Sequence, residues 1–160
     1  MAQMLELAAN LPEITVQPGE LLCQEGGESG SIWVLISGSL AVLKGDVEVN
    51  TINRPGAIIG EIAVLLGSGN SASVRADSIC RLHYAADGAA LLRSDPEITT
   101  HVATGLAERL NFLTTYLADL RHQYGDAPGL AMVGQVLNQL ATREGPLARP
   151  GSARDPDPEY

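Results

Sequence analysis

Two adjacent residues, Gly60 and Glu61, carry the strongest chemical signal in the chain. They lie in PGAIIGEIAVLLGSGNSASVRA, residues 55–76, which reads as a turn, a short strand, a brief apolar helix opening at Gly60-Glu61, a Gly/Ser/Asn loop and a second strand. The first turn of a helix leaves backbone N–H groups without intrahelical partners, and a glycine ahead of it lets a ligand approach the main chain. Such a place suits a phosphate or another anion. Other chemistry finds no candidate. His83, His101 and His122 form no cluster at ligand spacing, and no nucleophile stands beside a base, so an enzyme is not expected. Cys23 and Cys80 sit in the strand-like runs LLC and SIC without a CxxC, which predicts two buried free thiols and no zinc or iron–sulfur centre.

The elements that must position this segment change character along the chain. Residues 14–84 consist of short apolar or alternating runs (ITV, ELLCQ, SIWVLI, SLAVL, DVEVNTI, SASVRA, ICRLHY) broken by QPG, EGGESG, SG, KGD, NRPG and GSGN. Strands at this spacing, turned by glycines and with no helices between them, predict a mainly β, antiparallel sandwich, jelly roll or barrel with Trp33 in its core. After Asp87 the period becomes helical: a short stretch GAALLR, a break at SDP, then a helix over 96–124. Val102, Leu106, Leu110, Leu113, Leu117, Leu120 and Tyr124 recur every three or four residues, the spacing of a coiled-coil seam. That seam either packs on the chain's own barrel or pairs with a second copy, and a homodimer is expected. Pro128 and Gly129 end the helix. Residues 125–143 are read as a linker and a short amphipathic helix, which is expected to fold back on the barrel or the dimer. Residues 144–160, rich in Pro and Gly, are read as a disordered tail.

Bulk composition narrows the function classes. With 160 residues, 45% of them hydrophobic, the chain can build one ordinary core without staples. A net charge of −9 offers no basic face to nucleic acid or to an anionic membrane. No apolar run is long enough to span a bilayer, and Glu6 stands where a secretory signal would be basic or apolar, so a cytoplasmic protein is expected.

Taken together, these features resemble the cyclic nucleotide-binding domain family, the sensor module of the catabolite activator protein and of cyclic-nucleotide-regulated kinases and channels. QPGELLCQEGGESGSIWVLISGSLAVL (17–43) is similar to the family's first strands, RPGAIIGEIAVL (54–65) to the approach to its phosphate-binding cassette, SASVRA (71–76) to the exit, and 96–124 to its C-terminal dimerisation helix. The resemblance covers about three-quarters of the chain, spanning 1–124, and implies an antiparallel jelly-roll β-barrel followed by that helix. It assigns Glu61, after Gly60, to the ribose 2′-hydroxyl, and the backbone amides of Ile62 and Ala63 to the cyclic phosphate. Where the family runs Pro-Arg-x-Ala-Thr/Ser-Val, this chain has Gly69-Asn70-Ser71-Ala72-Ser73-Val74, so Asn70 replaces the arginine that pairs with the phosphate. An arginine fork to a phosphate makes charge-assisted bonds of about 1.5–3 kcal/mol each, so the change would cost one to several orders of magnitude in affinity. The Asn70 amide and the Ser71 hydroxyl and N–H, beside Ala72, remain as neutral donors. Arg75 is expected to point to the opposite face of its strand from Asn70, and Arg54 and Arg81 lie in other segments. Thr114 and Thr115 either set a hydroxyl against the purine or sit on the helix flank.

The resemblance thus implies a sensor of cAMP or another cyclic nucleotide, with no cofactor, that signals through its dimer helix to a protein partner. The segment after 124 carries no recognition helix or basic patch, so no DNA binding is expected. The competing expectations are a domain that has lost nucleotide binding and serves as a dimeric interaction scaffold, or a sensor of a different nucleotide. A cupin-like enzyme would need a cluster of histidines on the strands, where only His83 stands.

Overall fold

A computed structural model describes residues 2–124 and 131–142. The expected helix break at 125–129 and the tail at 144–160 lie outside the described residues. The chain divides into two compact units, 1–103 and 104–160.

The first unit is an antiparallel sandwich of two four-stranded sheets, as the turn spacing predicts. One holds β1 (Glu13–Val16), β8 (Cys80–Ala85), β3 (Ile32–Ser37) and β6 (Ile58–Ile59) in that order. The other holds β2 (Leu21–Cys23), β7 (Ser73–Ala76), β4 (Leu40–Lys44) and β5 (Val47–Ile52). Alternation decides which side chains turn inward: Val74 and Ala76 of β7 are buried between more exposed neighbours, and Leu35, Leu40 and Leu82 are fully enclosed. Burying one such leucine contributes about 1.5–3 kcal/mol, and together with Val16, Ile59, Val74, Ala76 and Cys80 they form the core. Trp33 packs on its edge, half-buried, with its ring stacked on Tyr84 at 5.8 Å. Cys80 is buried and Cys23 half-buried, both as free thiols.

Helices close the ends. A short helix that the sequence reading did not single out, α1 (Ala2–Leu7), buries Met4 beneath the sandwich. The loop after β6 enters α2 (Glu61–Leu66), and β8 leads to α3 (Gly88–Ser94). Asp87 caps α3 by accepting a bond from the Ala90 amide at 2.9 Å. The Asp95 carboxylate accepts from the Glu97 amide at 2.8 Å, and Pro96, whose missing N–H costs nothing at a helix start, opens α4 (Pro96–Tyr124). The first turns of α4 bury Ile98 and Val102 in the first unit.

The second unit takes the rest of α4 and α5 (Ala131–Thr142). The two helices touch within it: a Cβ built on Gly134 would stand 3.2 Å from a guanidinium nitrogen of Arg121. Along α4, Leu110, Phe112, Leu113, Tyr116 and Tyr124 remain exposed, and the Phe112 and Tyr116 rings stack at 6.5 Å.

Candidate functional site

The site is built at the start of α2. Gly60 is its N-cap residue with φ 95° and ψ −6°, a left-handed conformation that costs other residues strain. A Cβ there would meet the Ser31 carbonyl oxygen at 2.5 Å and the Trp33 ring at 3.3 Å, so only a glycine lets the helix opening lie this close to the entry of β3. No side chain caps α2 through Gly60, which leaves the first-turn amides to other acceptors. Glu61 opens the helix and is only 6% exposed, Ala63 is buried and Ile62 half-buried. An acidic residue in the first turn complements the partial positive charge of the helix start.

The helix ends at Gly67, and Ser68 to Ala72 return the chain to β7. This return lies directly on the β2–β3 loop. The Ser29 hydroxyl donates to the Ser68 carbonyl, and the Glu25 amide donates to the Ser73 hydroxyl at 2.9 Å. Asn70 sits at the centre, 8% exposed. Its amide nitrogen donates to the carbonyls of Gln24 at 3.3 Å and Glu28 at 2.9 Å, its backbone N–H to Gly27 at 3.2 Å, and its carbonyl accepts from Gly26 at 2.8 Å.

Gly60, Glu61, Ile62 and Ala63 thus lie at the helix start, and Asn70, Ser71 and Ala72 on the return that follows the same helix, with the Ser71 side chain exposed and Ala72 half-buried. Thr114 belongs to the second unit and its hydroxyl donates to the Leu110 carbonyl of its own helix at 2.8 Å; Thr115 is exposed.

Three cations near these strands have carboxylate partners. Arg75 pairs with Asp77 at 3.1 Å, Arg81 with Glu13 at 2.7 Å, and Lys44 with Glu25 at 3.4 Å. The Gly45 amide, more than Lys44, holds the Glu25 carboxyl below the usual carboxylate range against a smaller opposing effect of burial. Arg75 is more exposed than the buried Val74 before it, as strand alternation predicts. Among the described residues no cluster of His, Cys, Asp and Glu is placed to hold a metal. No helix among the described residues is long and apolar enough to cross a membrane. What sequence reasoning missed at the site is the β2–β3 loop: its bonds to Asn70 run through main-chain carbonyls, which no residue type announces.

This glycine-entered helix between two sheets agrees with the sequence profile of the family described as the cyclic nucleotide-binding domain, which matches residues 13–96, more than half of the chain. The chain belongs to that family. Within it, the domain is 32% identical over 76 residues to the cAMP-dependent protein kinase type II regulatory subunit of Drosophila melanogaster, covering 48% of this chain and 20% of that protein. It is 28% identical over 127 residues to the neuropathy target esterase sws of Drosophila virilis, covering 69% of this chain and 8% of that protein. The domain thus spans a fifth or less of the curated relatives it matches. A solved structure described as Sp-2Cl-cAMPS bound to PKAR CBD2 shares the fold with a TM-score of 0.53 at 24% identity, over 68% of this chain and 75% of that one.

Proposed function

We propose that the domain is a non-catalytic regulatory module that binds a cyclic nucleotide of the cAMP type in its cassette and passes occupancy to a protein partner through α4. The observation that carries this reading is the glycine-only entry at Gly60, which sets Glu61 and the Ile62 and Ala63 amides at one helix opening, in a chain of the cyclic nucleotide-binding family. Glu61 accepts from the ribose 2′-hydroxyl, the two amides face the phosphate, and Ser71 and Ala72 line the exit. The exposed apolar face of α4, with Leu110 and Leu113 at its centre, pairs with a second copy, and the module works in the cytoplasm. The esterase likeness covers 8% of that enzyme and lends no catalytic role.

Calorimetric titration with cAMP and 2′-deoxy-cAMP tests the site. Saturable cAMP binding is expected, weakened roughly 10- to 150-fold by Glu61→Ala, the worth of one hydrogen bond to a charged group. The 2′-deoxy ligand should cost the wild type a similar factor and the variant nothing more. Equal losses of both ligands in the variant would remove Glu61 from the ribose.

A second reading, a dimeric scaffold without nucleotide, is favoured by Asn70, whose two amide hydrogens already face carbonyls where the family places an arginine. Absence of heat with cAMP and cGMP at low-millimolar concentration, with self-association intact, would move the function to that reading.

A further inference from the structure

Asn70 raises a question the nucleotide reading leaves open: what holds the cassette loop in place where an asparagine stands in the position of the family's arginine? Six hydrogen bonds join residues 24–29 to residues 68–73, and four of them belong to Asn70. The side-chain nitrogen carries two hydrogens and meets two carbonyl oxygens, from Gln24 and Glu28, on the two arms of the β2–β3 loop. The neighbouring chain is close as well, since a Cβ on Gly69 would stand 3.2 Å from the carbonyl oxygens of Gly26 and Gly27. Because both partners are acceptors, the nitrogen and not the oxygen of the amide must face them. Turning that nitrogen toward a ligand would take the side-chain donor from the Glu28 carbonyl and leave the Gln24 carbonyl with the Gly27 amide, breaking both links from the Asn70 side chain to the loop.

We propose that Asn70 is a positioning residue: it clasps the β2–β3 loop to the cassette and holds the loop in its binding geometry before any ligand arrives, without touching the ligand itself. Anion recognition then falls to neutral donors, the amides of the α2 opening and Ser71, so the phosphate contributes less to affinity than a cation-anchored cassette would require. The clasp stands on the hydrogen bonds; only this selectivity rests on the nucleotide-binding reading above.

Amide hydrogen exchange on the full chain without ligand tests the clasp. The Gly26 and Asn70 amides should be protected in the wild type. In Asn70→Ala, and in Asn70→Asp, which keeps the size but presents an acceptor, they should exchange about tenfold faster or more, with β3 and β4 amides changed far less. Exchange of either amide at the free-peptide rate in the wild type would overturn the clasp even if neither variant folds.

Titration with cAMP and adenosine tests the second half. Both variants should weaken the two ligands by the same factor, leaving their ratio within about twofold, since positioning affects every ligand alike. A selective loss of cAMP, of about tenfold or more, would place Asn70 on the phosphate and overturn the proposal. If the wild type binds neither ligand, the nucleotide reading fails, and the exchange result still decides the clasp.

Discussion

Gly60→Ala is the sharpest test of how the cassette is held. The left-handed conformation at φ 95° costs an alanine about 1–2 kcal/mol. The added Cβ would also sit 2.5 Å from the Ser31 carbonyl oxygen and 3.3 Å from the Trp33 ring, and relieving such overpacking typically costs a further 1–3 kcal/mol. The expected loss is therefore about 2–5 kcal/mol. Gly19→Ala supplies the control: its φ of 89° is nearly the same, but nothing lies within 4 Å of the added carbon. Only the conformational part applies there, about 1–2 kcal/mol. Urea unfolding followed by fluorescence of Trp33, the one tryptophan of the chain, reads both losses as shifts in midpoint at constant slope. If the two variants lose the same stability, the chain at Ser31 yields to the helix opening and the close approach does not constrain the cassette.

The α4 face, the Glu13 pair and Cys23 each give a further test. Leu110→Glu with Leu113→Glu should turn a dimer into a monomer in sedimentation equilibrium, and an unchanged mass would remove this face of α4 from the interface. The Arg81 hydrogen bond holds the exposed Glu13 carboxyl below the usual range, so the pair's small stabilisation is present above the ordinary glutamate value and is lost as pH falls through the depressed one. An NMR titration of Glu13 should show this midpoint and its return to the ordinary value in Arg81→Ala; no difference between the two would refute the coupling. Burial pushes the Cys23 thiol up, so alkylation near pH 8 should be slower than for an unfolded peptide with the same flanking residues, and equal rates would contradict its packing on Ala72.

Much of the fold was legible because each strand announces itself twice, by an apolar run and by the turn that ends it. The runs ITV through ICRLHY lie on seven of the eight strands, and the eighth, Ile58–Ile59, falls inside the segment read as turn, strand and helix. The long helix was readable from its period and from the break at SDP; that the Asp95 carboxylate accepts from the Glu97 amide at its start is what the structure adds. Helix α1 was not, because its six residues carry too few turns to show a period. At the site, Gly60 and Glu61 were visible as residue types at a helix opening. The clasp was not: Asn70 reaches main-chain oxygens at Gln24 and Glu28, far away in sequence and identical in kind to every other carbonyl.

The strand order has a consequence for how the chain comes to be folded at all. The last two strands, β7 and β8, occupy interior places, β7 between β2 and β4 and β8 between β1 and β3. Until residues 73–85 have left the ribosome, only the adjacent β4–β5 hairpin and the short β3–β6 pair can form, while Glu13 waits for His83 and Leu21 for Arg75. Contacts of such sequence separation form slowly, since the intervening chain must first give up its freedom. A nascent or truncated chain ending before Ser73 thus leaves open at once the four strand edges, on β1, β2, β3 and β4, that β7 and β8 would pair, the state in which chains stick to one another, and the arrival of one short segment seals both sheets together.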